Sequence, residues 1–204
     1  LPNTWFRMLE ILKFWTAKEV DGFRCDMVEM VPVDFWAWVI PQIKAIKEDI
    51  IFIGEVYQPH LYEAYIIQGK FDYLYDKVGL YDQLKEVLRG GQASSISDCW
   101  KSLNGLDEHM LRFLENHDEQ RIPSGEFACK AEKGIPAMML SATMNTGPIM
   151  TYFGQELGEA AKGPTGFSGD DGRTTIFDYW KIDSIQRWRG KSAYTGSGLA
   201  LEEK

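Results

Sequence analysis

Three short apolar runs, each closed by a carboxylate, constrain this chain more than any other feature: Gly22 to Asp26, Ile50 to Glu55, and Met110 to Asp118. Apolar, β-branched runs this short suit strands of a parallel sheet, and the segments between them carry a helical period. Trp5, Leu9 and Leu12, then Met8 and Trp15, mark an amphipathic opening helix. Phe35, Val39 and Ile43, beside Trp36 and Ile40, mark a second, in which Pro41 predicts a kink or a late start. Asp49 to Ile53 reads as a strand buried on both faces, His60 to Ile67 as a helix, and Phe71 to Tyr75 as a further strand. Leu80 to Leu88 is helical and closed by Gly90-Gly91. Residues 92–108 read as helix plus loop, Met110 to Leu114 as a strand, Ala137 to Met144 as a helix, and Ile149 to Phe153 as the last strand. Gly154 to Gly172 is Gly-rich and without period, as a loop at an active site would be.

Strands alternating with helical segments imply a parallel sheet covered by helices. Five such rounds do not close an eight-stranded barrel, which takes about 250 residues. The alternative within the class is an open doubly wound sheet, but no glycine-rich phosphate loop follows any of the strands. With 204 residues and 45% hydrophobic content the chain can bury a sizeable core. A net charge of −8 argues against nucleic acid or an anionic membrane surface as partner. No apolar run approaches the ~20 residues of a membrane helix, and no signal peptide is visible. Cys25, Cys99 and Cys129 share no metal-type spacing, and their odd number indicates no disulfide framework.

The carboxylates carry the chemistry. Hydrolysing a glycoside with retention takes a nucleophilic carboxylate and a proton donor about 5–5.5 Å apart. Arg24 stands two residues before Asp26, on the same strand face, where its cation would favour ionised Asp26. Glu55 follows a wholly apolar strand, and burial there would push its carboxyl toward a useful acid. Asp118 follows His117, which can donate a hydrogen bond to a sugar hydroxyl, and a third carboxylate can stabilise an oxocarbenium-like transition state. The plainer readings are that Asp26, Glu55 and Asp118 cap following helices. Arg121 reads as structural, and Glu115 and Glu156 as holding neighbouring groups.

At these residues the chain resembles the α-amylase family, glycoside hydrolase family 13. Asp21 to Asp26 is similar to the family's strand-four motif, whose aspartate is the nucleophile. Phe52 to Val56 is similar to its strand-five motif, whose glutamate is the acid/base. Phe113 to Asp118 is similar to its strand-seven motif, whose last aspartate stabilises the transition state. Gly147 to Glu156 resembles strand eight and its loop, and Asp171 to Thr175, on to Trp180, a further family segment. The resemblance implies a partial (β/α)8 TIM barrel made of the C-terminal five βα units. The first three strands, the excursion domain and the C-terminal β-domain would lie outside these 204 residues.

The resemblance also implies catalytic roles for Asp26, Glu55 and Asp118. Arg24 and His117 would bind substrate, and Glu29, Met30 and Tyr57 become candidates for the leaving-group side. Many α-amylases carry a lysine–histidine pair where this chain has Glu29 and Met30, a departure from endo-amylase specificity and from the usual calcium site. No cofactor is expected in this segment; any calcium would be held by the part of the family's domain outside these 204 residues. The expected substrate is an α-glucan or malto-oligosaccharide. Two alternatives stand beside hydrolysis: a transglycosylase using the same residues, and a non-catalytic barrel acting as a binding or scaffold protein.

Overall fold

A computed structural model describes residues 1–161, 171–177, 181 and 183–190. It contains five strands: β1 (Gly22–Cys25), β2 (Ile51–Gly54), β3 (Tyr73–Tyr75), β4 (Met110–Phe113) and β5 (Ile149–Met150). The α-helices are α1 (Asn3–Thr16), α2 (Val33–Lys44), α3 (Asp82–Leu88), α4 (Ser95–Ser102), α5 (Gly134–Thr143) and α6 (Asp183–Trp188). Every strand pairing is parallel and joins strands consecutive in sequence, from Phe23 opposite Phe52 through to Phe113 opposite Met150. Parallel neighbours with intervening helices are the pattern of a (β/α)8 barrel, here as a part of one.

The chain divides into two compact units, and β4 gives its first two residues to one and its last two to the other. In the first unit Leu9 and Leu12 of α1, five residues of α2, and Phe52, Phe71, Leu74 and Met110 make one core. Trp5, Phe35, Trp36 and Phe71 form a chain of edge-to-face ring contacts through it. Gly54 is packed so tightly that a Cβ there would stand 2.9 Å from Leu74 and 3.0 Å from Phe71. In the second unit Tyr81 stacks on Phe113 at 5.1 Å and meets Phe127 edge-on at 5.9 Å.

Several expectations need correcting. α2 starts at Val33 and runs through Pro41. Proline costs a helix interior about 3 kcal/mol, but Pro41 faces water while Phe35, Trp36, Val39, Ile40 and Ile43 are buried, each contributing roughly 1.5–3 kcal/mol. β2 is not buried on both faces: Phe52 and Gly54 are covered, whereas Ile51 is 39% exposed and Ile53 half-buried. Its Phe52 face packs on Phe23 and Phe71, and the Ile51 face is open. On α1, Leu9, Leu12 and Thr16 are buried, but Met8 and Trp15 are exposed.

The segment read as helix at His60 to Ile67 is a 3-10 turn, Pro59–Leu61, followed by a π-turn, Ala64–Gln68. β5 stops at Met150, short of Phe153. Gly154 turns the chain at φ 84°, and the Phe153 carbonyl is drawn away to accept from Arg121. Closure of α3 by glycine holds: Gly90 sits at φ 107° and the Gly91 amide returns to the Glu86 carbonyl. Of the Gly154–Gly172 loop, residues 162–170 lie outside the described residues, as do residues 178–180 of the segment ending at Trp180.

Candidate active site

Six of the eight residues singled out belong to the first unit: Arg24, Asp26, Glu29, Met30, Glu55 and Tyr57. Arg24 is the last residue but one of β1, and Asp26 follows it directly off the strand. Their side chains share a face, as two-residue spacing requires, and Arg24 Nη1 donates to Asp26 Oδ1 at 2.5 Å. Register does the rest. Arg24 stands opposite Ile53 and Cys25 opposite Gly54, so Glu55 leaves β2 beside Asp26. Arg24 Nη2 reaches Glu55 Oε1 at 3.1 Å. One guanidinium therefore joins both carboxylates through separate nitrogens. It is held in turn by Tyr75 of β3, which accepts from Nε at 3.3 Å and presents its ring 5.3 Å from Cζ. Burial works against the charge of Arg24, but its hydrogen bonds to Tyr75 and Asp26 and the nearby Glu55 outweigh it and hold the pKa above the ordinary value.

The two carboxylates differ in environment. Asp26 has a side chain 67% exposed, while Glu55 is only 6% exposed. Besides Arg24, Glu55 receives the Met27 amide on Oε2 at 3.0 Å and the Tyr57 hydroxyl on Oε1 at 2.8 Å. Met27 occupies the left-handed region at φ 44°, a costly conformation for a residue with a side chain, in the same turn whose amide meets Glu55. Between Arg24 and Asp26, the thiol of Cys25 is pushed up to about 12 by burial, against the pull of Arg24. It stays protonated and is no rival nucleophile.

Glu29 does not point away as a free wall. Its Oε2 accepts the backbone amides of Tyr57 and Gln58, at 3.0 and 3.1 Å. Met30 is 71% exposed. Nothing in the sequence alone distinguishes a carboxylate that grips backbone from one that lines a subsite.

His117 and Asp118 belong to the second unit and are described within it. Buried Asn116 builds their turn by accepting the amides of Asp118 and Glu119 on Oδ1, at 2.8 and 2.9 Å. His117 Nε2 lies 3.1 Å from Asp118 Oδ2, so the imidazole is engaged by the carboxylate that follows it. The structural role read for Arg121 holds. It is fully buried and donates to Glu115 (2.8 Å), Thr174 Oγ1 (2.7 Å) and the Phe153 carbonyl (2.8 Å). Its guanidinium covers the Tyr152 ring at 4.2 Å, and its amide donates to the Gly172 carbonyl at 2.7 Å. The segment from Gly172 to Thr174 is thus docked on one arginine. Among the described residues no group of three or more His, Cys, Asp or Glu could hold a metal ion, and no helix is long and apolar enough to cross a membrane.

The parallel strands that alternate with helices are those of a partial (β/α)8 barrel, and Asp26 and Glu55 stand at the C-terminal ends of two of them. The family profile described as Alpha amylase, catalytic domain, matches residues 2–187, and the chain belongs to that family. Alpha-amylase MalA of Haloarcula japonica is 31% identical over 161 residues, covering 76% of this chain and 23% of its own. Alpha-amylase 3 of Dictyoglomus thermophilum is 25% identical over 222 residues, covering 98% of this chain and 42% of its own. Among solved structures, the cyclic α-maltosyl-(1→6)-maltose hydrolase of Arthrobacter globiformis superposes with a TM-score of 0.72 at 20% identity, over 87% of this chain and 40% of that one. That likeness concerns the fold. The chain spans less than half the length of these relatives.

Proposed function

We propose that the full-length protein is a retaining glycoside hydrolase cleaving α-glucosidic bonds in starch-like glucans or malto-oligosaccharides. The observation that carries this reading is the single guanidinium of Arg24 joining Asp26 to Glu55. It keeps two carboxylates close, as a retaining pair must be, and gives them different surroundings. Asp26, exposed and paired to a cation, attacks the anomeric carbon and forms a glycosyl ester while Glu55 gives its proton to the leaving oxygen. Glu55, now a base, takes a proton from water, which attacks the same carbon and frees Asp26. Asp118, the match to the third family carboxylate, stabilises the positive charge that develops in both steps, and His117 holds the sugar.

Covalent trapping tests the reading. The full-length protein is incubated with a 2-fluorinated α-glucosyl fluoride, and its peptides are examined by mass spectrometry. The expected result is a sugar adduct on the peptide carrying Asp26. A folded protein that takes no label and releases no sugar from malto-oligosaccharides would move the assignment to a non-catalytic barrel. Longer oligosaccharides at high acceptor concentration would instead identify a transglycosylase built on the same residues.

We also propose that the 204 residues are the C-terminal part of a larger barrel, which fits the 23% and 42% of their relatives that they span. On α1, Phe6, Ile11, Phe14 and Trp15 are 48–56% exposed, and an apolar groove of ≈ 630 Å³ lined by Trp5, Met8, Phe23 and Phe35 opens beside Asp26. Such a surface favours association. Produced alone, the segment should sediment as concentration-dependent oligomers and show no hydrolysis. A sharp, concentration-independent monomeric unfolding transition together with activity would refute this.

A further inference from the structure

We propose that Glu29 and Tyr57 are positioning residues for Glu55, joined to it in a reciprocal clasp between the turn after β1 and the segment after β2. Each side grips the other. The first turn gives two amides to Glu55: Met27 N to Oε2, and Val28 N to the backbone carbonyl at 3.0 Å. The second segment gives two amides to Glu29, from Tyr57 and Gln58, both on the same carboxylate oxygen. Glu29 thereby holds the backbone of Tyr57, and from that backbone position the phenol reaches Glu55 Oε1 at 2.8 Å.

The clasp has a consequence for the proton. Oε1 of Glu55 accepts the Tyr57 hydroxyl and lies 3.1 Å from Arg24 Nη2 in an ion pair, whereas Oε2 accepts only the Met27 amide. The Arg24 cation beside Oε1 disfavours a proton there, so the proton passed to the leaving group sits on Oε2, which keeps a second lone pair for it. Tyr57 and Arg24 together therefore select which oxygen does the acid work, and Glu29 holds Tyr57 to the task. Neither needs to touch the sugar.

This rests on the acid/base role of Glu55, and the test separates the two. Full-length E29A, E29Q and Y57F are compared with the parent on a malto-oligosaccharide, whose departing sugar needs a proton, and on α-glucosyl fluoride, whose fluoride hardly does. The readout is kcat/KM, which follows the first bond cleavage. Misplacing an acid by about 1 Å costs on the order of 100-fold. E29A and Y57F should therefore lose about 10- to 100-fold on the oligosaccharide and less than about threefold on the fluoride. E29Q keeps a carbonyl for both amides and should recover most of the loss. Equal losses on both substrates, or none on either, would overturn the positioning role and leave the acid assignment standing. A parent protein inert on both would overturn the acid assignment and this proposal with it.

Discussion

In the full-length protein, Asp26→Ala is expected to abolish cleavage of malto-oligosaccharides and α-glucosyl fluoride alike, while Glu55→Ala sharply slows cleavage of the first and leaves the ester-forming step on the second intact. Without Asp26 no glycosyl ester forms, whatever the leaving group. Without Glu55 the ester still forms from the fluoride, because fluoride departs without a proton. General acid–base groups contribute about 10²- to 10⁴-fold, which sets the loss expected for Glu55→Ala on the oligosaccharide. The ester then waits for a nucleophile that needs no base. Added azide should restore turnover and yield an α-glucosyl azide, with the configuration of the starting sugar retained after two inversions. The measurement is rate and product by NMR for each variant with and without azide. A β-glucosyl azide from Asp26→Ala would fit, since azide would then enter directly from the vacated side. Equal rescue of both variants to the same α product would contradict the assignment of the two roles.

Arg121→Met should be the most destabilising single change in the second unit. Arg121 is fully buried, and its partner Glu115 is 1% exposed. Removing the guanidinium leaves a buried carboxylate with only the Ile122 amide, at 2.6 Å, to hold it. Breaking a buried pair in this way costs about 3–5 kcal/mol, and three further attachments, to Thr174, Phe153 and Tyr152, go with it. Denaturant midpoints of the full-length protein would measure the loss. The double variant E115Q/R121M should be more stable than R121M, because a neutral amide still accepts from Ile122 and leaves no charge uncompensated.

The sign of the pH dependence follows from Glu115. Burial pushes its carboxyl above the ordinary range, and the Arg121 guanidinium and the Ile122 amide pull it back. Taking Arg121 away removes most of that pull, so in R121M the folded state binds a proton that the unfolded chain gives up. A carboxyl raised on folding supports stability below its unfolded pKa and loses it as pH rises toward the folded value. The penalty of R121M should therefore shrink as pH falls through the carboxylate range. A loss under about 1 kcal/mol at neutral pH, or a penalty that grows in acid, would show that Arg121 is not the anchor described.

Much of this molecule was legible from spacing. Strand and helix alternate where the periodicity changes, because a strand covered by helices needs a short apolar run and a helix needs a stripe every three or four residues. That the sheet is parallel follows from that alternation, since parallel neighbours need a crossover between them, but the sequential order of β1 to β5 came from the structure. Arg24 and Asp26 were also readable as a pair, because two-residue spacing on a strand fixes the face. What the sequence alone determined is therefore local: element types, their order, and the contacts that a single strand imposes on itself.

Tertiary structure decided what depends on residues far apart in the chain. Burial of β2 on one face only could not be read from four apolar letters, since exposure is set by what the other segments cover. Helix α2 keeps Pro41 because the core it joins outweighs one lost bond. Glu29 was read as a candidate subsite wall, but the loop 28 residues away that brings its amides to it set its contacts. Arg121 draws its partners from Glu115, Phe153 and Thr174, on segments up to 53 residues apart. A charged side chain is exposed or buried according to whether the folded chain returns to meet it, and that return is a property of the whole packing.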